Sequence, residues 1–126
     1  MYNLFLDDER NPVDGFIMTK NSVYYELDWV VVKNYKEFAE YIEKHGVPSL
    51  ISFDHDLGDI HYDVKDNVIN YSEYKEKTGY DCAHWLINYC IDNKIRKLPA
   101  YLIHTGNTVG GINIKYLMEN YKRYMK

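Results

Sequence analysis

Two adjacent acids, Asp7 and Asp8, end one short apolar run, and Asp54, with Asp56 two residues on, ends another. Carboxylates collected from neighbouring chain segments repel one another unless a cation or a shared proton compensates, and hard oxygen donors of this kind suit magnesium or manganese. Asp7, Asp8, Asp54 and Asp56 are therefore candidate ligands of a divalent metal. Taken singly, each is equally an ordinary solvated loop residue, because Asp favours turns. Their recurrence at the ends of similar runs is what points to a site.

Two histidines stand beside these acids. His55 follows Asp54 directly, and His104 ends a later apolar run. Histidine moves protons near neutral pH, so a pair flanking a metal-held phosphate would supply a base for water and an acid for a leaving alkoxide. The alternative is a pair of hydrogen-bonded structural histidines. His55 would also point opposite to Asp54 if the strand continues that far. His45 and His84 fall within helical patterns and suit surface or packing roles. Arg10 could clamp a phosphate bidentately or pair with Asp8 or Glu9. Thr105-Gly106-Asn107, followed by Gly110-Gly111, makes a small polar turn into a helix, where backbone N–H groups can bind phosphate. It matches neither a Walker nor a dinucleotide-binding motif.

The elements that must position these residues alternate. Asn3-Leu4-Phe5-Leu6 reads as a buried strand, Trp29-Val30-Val31-Val32 as a second, Leu50-Ile51-Ser52-Phe53 as a third and Ala100-Tyr101-Leu102-Ile103 as a fourth. Between them, Asn34 with Glu37 has the spacing of a helix cap, Phe38, Tyr41 and Ile42 recur at helical period, and Gly46 and Pro48 stop the helix. Thr78-Gly79-Tyr80-Asp81 starts another helix, with Thr78 as cap and Ala83, Leu86, Ile87 and Cys90 on one face. A last helix follows Gly110-Gly111, with Ile112, Leu117 and Tyr121 as core contacts. Strands alternating with helices imply a parallel sheet whose ligands sit beyond the strands' carboxyl ends, here in the order 2-1-3-4. Residues 59–78 are polar and aromatic without a period and read as a long loop or flap.

Composition bounds the rest. The chain has 126 residues, 46% of them hydrophobic, which is material for one domain spanning 1–126. A formal charge of −4 argues against wrapping a long nucleic acid and leaves contact with one phosphate or strand end open. Cys82 and Cys90, on one helix, would lie roughly 12 Å apart, too far for a disulfide. No apolar run has membrane-spanning length and no N-terminal targeting pattern is present, so the expected compartment is the cytoplasm. Oligomeric state is not legible.

Four motifs in this order, Leu4-Phe5-Leu6-Asp7-Asp8-Glu9-Arg10-Asn11-Pro12, Ser52-Phe53-Asp54-His55-Asp56-Leu57-Gly58, Thr78-Gly79-Tyr80-Asp81 and His104-Thr105-Gly106-Asn107-Thr108-Val109-Gly110-Gly111-Ile112-Asn113, give the chain its resemblance to response-regulator receiver domains. It more closely resembles the receiver-like family of cyclic-phosphate-processing domains. The resemblance implies an α/β, receiver-like (flavodoxin-like) three-layer fold. It also implies Mg²⁺ or Mn²⁺ on Asp7 and Asp8, with Asp54 as the phosphate-accepting or metal-facing aspartate, and hydrolysis of a 2′,3′-cyclic phosphate on RNA ends or nucleotides, in RNA repair. His104, His55 and Asp54 would be catalytic, and Arg10, Thr105 and Asn107 would meet substrate. A signalling receiver has a fifth strand ending in a phosphate-pairing lysine, and the sequence to Lys126 carries no such pattern, which disfavours phosphorelay. Two alternatives stay open: a non-catalytic module that binds a phosphate or a partner, and a receiver phosphorylated on Asp54.

Overall fold

The computed structural model describes residues 1–57 and 77–124. Nine elements follow in order: β1 (Asn3–Leu6), α1 (Pro12–Thr19), α2 (Val23–Glu26), β2 (Val30–Val32), α3 (Tyr35–His45), β3 (Leu50–Phe53), α4 (Gly79–Asp92), β4 (Ala100–Ile103) and α5 (Thr108–Tyr124). Among the described residues the four strands form one all-parallel sheet in the order β2-β1-β3-β4, the predicted order. The 59–78 flap reading falls outside the described residues except at Lys77 and Thr78.

Register decides what each strand shows to each face. Leu4, Leu6, Ile51 and Phe53 point to one side and join Phe38 and Ile42 of α3, Cys82, Ala83, Leu86, Ile87 and Cys90 of α4, and Ile114 and Met118 of α5 in the core. Phe5 and Ser52, partners in the ladder, point to the other side, where Tyr24 of α2 and Trp29 cover them. The sheet is thus the middle of three layers. Each large apolar side chain buried in the core contributes roughly 1.5–3 kcal/mol.

The helices begin where the sequence provides caps. Asn34 accepts a hydrogen bond from the Glu37 amide at 2.8 Å, while the Glu37 carboxylate takes the Lys33 amide. Thr78 and Asp81 close a reciprocal capping box on α4. Cys82 and Cys90 share α4 and are both buried free thiols. On α5, Ile112 is 45% exposed and the inward residues are Ile114 and Met118, with Leu117 and Tyr121 packed at the margin. The predicted inward role of Ile112 is therefore corrected: it lies on the outward face of α5.

Helices α1 and α2 were not predicted. Their apolar residues Val13, Ile17 and Tyr25 are each more than half exposed, so no inward-facing period marks them. A start signal was nevertheless present in Asn11-Pro12-Val13-Asp14, which forms a capping box with Pro in the first turn. At Gly15 a Cβ would come within 2.9 Å of the Tyr24 ring, so α1 and α2 meet through the missing side chain.

Candidate metal centre

Ladder hydrogen bonds continue one residue past the strands: Asp7 N donates to Val32 O, Asp54 N to Leu6 O and His104 N to Phe53 O, each at 3.0 Å. Because Leu6, Phe53 and Ile103 are in register, Asp7, Asp54 and His104 form the next row, on the Phe5–Ser52 side of the sheet. Asp7 and Asp54 are almost fully buried, and Asp8 beside them is half-buried. One carboxylate oxygen from each of Asp7, Asp8 and Asp54 lies within 4.8 Å of the others.

Asp7 is tightly held. Its Oδ1 accepts the amides of Glu9 and Arg10, both at 2.9 Å, and its Oδ2 accepts His104 Nε2 at 3.1 Å. Burial would raise its pKa, but those hydrogen bonds outweigh burial and keep the carboxyl below its ordinary range. Asp54 goes the other way. Burial first, then repulsion from Asp7, push it up to about 7, against the pull of hydrogen bonds from the Thr105 side chain and the His55 amide. The Arg10 guanidinium, 42% exposed and 4.0 Å from Asp7, does not offset that repulsion. Two nearly buried carboxylates that repel one another, with a third oxygen donor in reach, fit a hard divalent cation, which an apolar or cationic pocket would not.

Asp56 lies outside this trio. Its Oδ1 is bound by His55 Nδ1 at 2.6 Å and by Asn107 Nδ2 at 3.0 Å, which hold its carboxyl low against burial. The two histidines do not flank a common point either. His104 stands in the acid row, its ring stacked on Phe5 at 4.2 Å and hydrogen-bonded through both nitrogens, to Asp7 and to Ser52 Oγ at 2.6 Å. His55, one residue past Asp54, points to the opposite side, where Gly110 of α5 packs so closely that a Cβ there would sit 2.3 Å from the ring. A one-residue offset in a strand reverses the face, and both imidazole side chains have 0% exposure.

The Thr105–Gly111 turn is internally committed. Thr105 serves Asp54 and accepts the Asn107 amide, while Asn107 Oδ1 caps α5 by accepting the Gly110 amide at 2.8 Å, and Asn107 O takes that of Gly111. The amides of Asn107, Gly110 and Gly111 are therefore not offered to a phosphate. His84 bonds Asn88 and His45 stacks on Tyr41, both away from the site, as expected. Sequence reasoning did not single out Ser52 and Tyr24, whose hydroxyls meet at 2.6 Å beneath His104. Ser52 did carry a signal, since a hydroxyl inside an apolar strand must find a partner.

Among the described residues no helix is long and apolar enough to cross a membrane. No curated protein and no solved structure matches the chain. The family described as the cyclic-phosphate processing receiver domain matches residues 2–120. With four parallel strands in receiver order and an acid trio at their carboxyl ends, the chain belongs to the family of cyclic-phosphate processing receiver domains.

Proposed function

We propose that the protein is a metal-dependent phosphoesterase that opens a terminal 2′,3′-cyclic phosphate on RNA or on a nucleotide. The observation that carries this reading is the buried carboxylate trio in a chain whose family processes cyclic phosphates. Asp7, Asp8 and Asp54 would hold magnesium or manganese, which supplies charge neutralisation at the non-bridging phosphate oxygens and polarises a water. The remaining tasks belong to the chain. Arg10, half-exposed at the acid rim and acting on both Asp54 and Asp56, orients the incoming phosphate. His104, with both nitrogens engaged, holds Asp7 and does not trade protons with substrate. Asp56, 41% exposed and backed by His55 and Asn107, is ionised at neutral pH and accepts the proton of the attacking water. Attack breaks one ring P–O bond, and the departing ribose oxygen leaves protonated by solvent.

The test is incubation of purified protein with 2′,3′-cyclic nucleotides and cyclic-phosphate-ended RNA, in magnesium, in manganese and with a chelator. Metal-dependent ring opening that Asp54→Asn abolishes is expected. Absence of hydrolysis under every metal, or full activity in Asp54→Asn, would sink the proposal.

The burial of both histidines favours a second reading, a module that binds a phosphate without turnover. It predicts saturable, metal-dependent binding of a cyclic nucleotide that is recovered intact.

A further inference from the structure

Beneath the acid row runs a line of buried polar groups whose far half, Tyr24 and Ser52, has no part in the reaction above: Tyr24 Oη to Ser52 Oγ at 2.6 Å, Ser52 Oγ to His104 Nδ1 at 2.6 Å, and His104 Nε2 to Asp7 Oδ2 at 3.1 Å. Tyr24 is 2% exposed, Ser52 0% and His104 1%. The line crosses from α2 through β3 and the end of β4 to the end of β1, so three of the four groups come from different strands and the fourth from the helix layer.

Each hydroxyl has one proton to donate, and buried donors seldom go unpaired. Among the described residues Tyr24 Oη meets Ser52 Oγ alone, so Tyr24 donates to Ser52. Ser52 must then spend its own proton on His104 Nδ1, which is thereby the unprotonated nitrogen. From the other end, an ionised Asp7 can only accept, so His104 Nε2 carries the hydrogen. Both ends require the same polarity, with every donor aimed at the acid trio. The flat stack of His104 on Phe5, 10° from parallel, fixes the ring plane in which that hydrogen points.

We infer that Tyr24 and Ser52 are positioning residues which lock His104 in its Nε2–H form and through it aim Asp7 as a metal ligand. The aiming half rests on the metal reading above; the tautomer half does not. Partners that orient the ligands of a metal are worth about 10–100-fold in affinity. Ser52→Ala, one bond further out, is expected at the lower end, with Mn²⁺ binding weakened about tenfold. Tyr24→Phe removes one oxygen and leaves the packing against Phe5 and Trp29 in place. It is expected to weaken binding in the same direction but by less, and Ser52→Thr, which keeps the hydroxyl, to recover most of the affinity.

The experiment pairs calorimetric titration of Mn²⁺ into the full chain with long-range ¹H–¹⁵N NMR of His104 in the metal-free protein. Wild type is expected to show protonated Nε2 and unprotonated Nδ1, Ser52→Ala a mixture of the two tautomers, and Tyr24→Phe a smaller shift the same way. A wild-type His104 protonated on Nδ1, or a single Nε2–H form persisting in Ser52→Ala, overturns the inference. So does Mn²⁺ affinity in Ser52→Ala within twofold of wild type. If wild type binds no Mn²⁺, the metal reading fails, and the tautomer result alone decides whether Tyr24 and Ser52 set the state of His104.

Discussion

Replacing Asp54 by Asn in metal-free protein should stabilise it, and by an amount that depends on pH. In the folded chain the Asp54 carboxyl lies at about 7, against an ordinary value of 3.8, because it is buried and faces Asp7. The folded state therefore holds this proton more tightly than the unfolded state does, and stability falls as pH rises from about 4 to about 7. Below 3.8 both states are protonated and the site carries no ionisation penalty. Above 7 both are ionised, and the full difference of about 3 pH units stands as roughly 4 kcal/mol against folding. Asn keeps an oxygen for the His55 amide, which donates to Asp54 Oδ1 at 2.8 Å, and carries no charge. The expected gain over wild type is roughly half a kcal/mol at pH 4 and about 4 kcal/mol at pH 8. Urea unfolding with a chelator, followed for both proteins at each pH, measures it, and taking the difference at each pH cancels the other titrating groups. A gain independent of pH, or a loss at pH 8, would refute the argument that burial, with repulsion from Asp7, penalises an ionised Asp54.

Three further outcomes follow from contacts around the site. Gly79→Ala would place a Cβ 1.7 Å from the Asp54 carbonyl oxygen and should cost more than about 3 kcal/mol, whereas Gly106→Ala, with nothing within 4 Å, should stay within about 0.5 kcal/mol; urea midpoints separate them. Thr78→Ala removes the α4 cap, a fully buried residue whose hydroxyl accepts the Asp81 amide, and should lower stability by about 1–2 kcal/mol with unchanged m-value. Arg10→Ala should leave the urea midpoint nearly unchanged, since its ion pair is long and exposed, yet raise the KM for a cyclic nucleotide severalfold; an unchanged KM would remove Arg10 from the substrate's path.

The strands and the acid row were legible because each strand is an apolar run that stops on an acid or histidine, and a parallel sheet collects such ends on one edge. Asp7, Asp8 and Asp54 could be grouped on that basis alone. Asp56 could not be told apart from them, since its contact with Asn107 joins positions 51 residues apart and no local pattern marks it. The histidines show how far period-two reasoning reaches. His55 was expected to face away from Asp54 and does, but that His104 aligns with Asp54 needs the β3–β4 register, which no single strand encodes. Tyr24 was out of reach for a different reason. It sits on a one-turn helix in a segment without apolar period, and its partner Ser52 is 28 residues away.

Gly79 N donates to His55 O at 2.8 Å, so the amino end of α4 clasps the turn that follows Asp54, and α5 presses on the same turn through Gly110. The acid trio draws on positions 7, 8 and 54, its clasp on 79 and 110, and its orienting imidazole on 104. No local stretch of chain can assemble it, and each of its loops must close before the last contact is made. An unfolded or half-folded chain consequently has scattered carboxylates and no cation site. A cation held by the trio would then return its binding free energy to the native state, and its occupancy would be a cooperative readout of the whole topology.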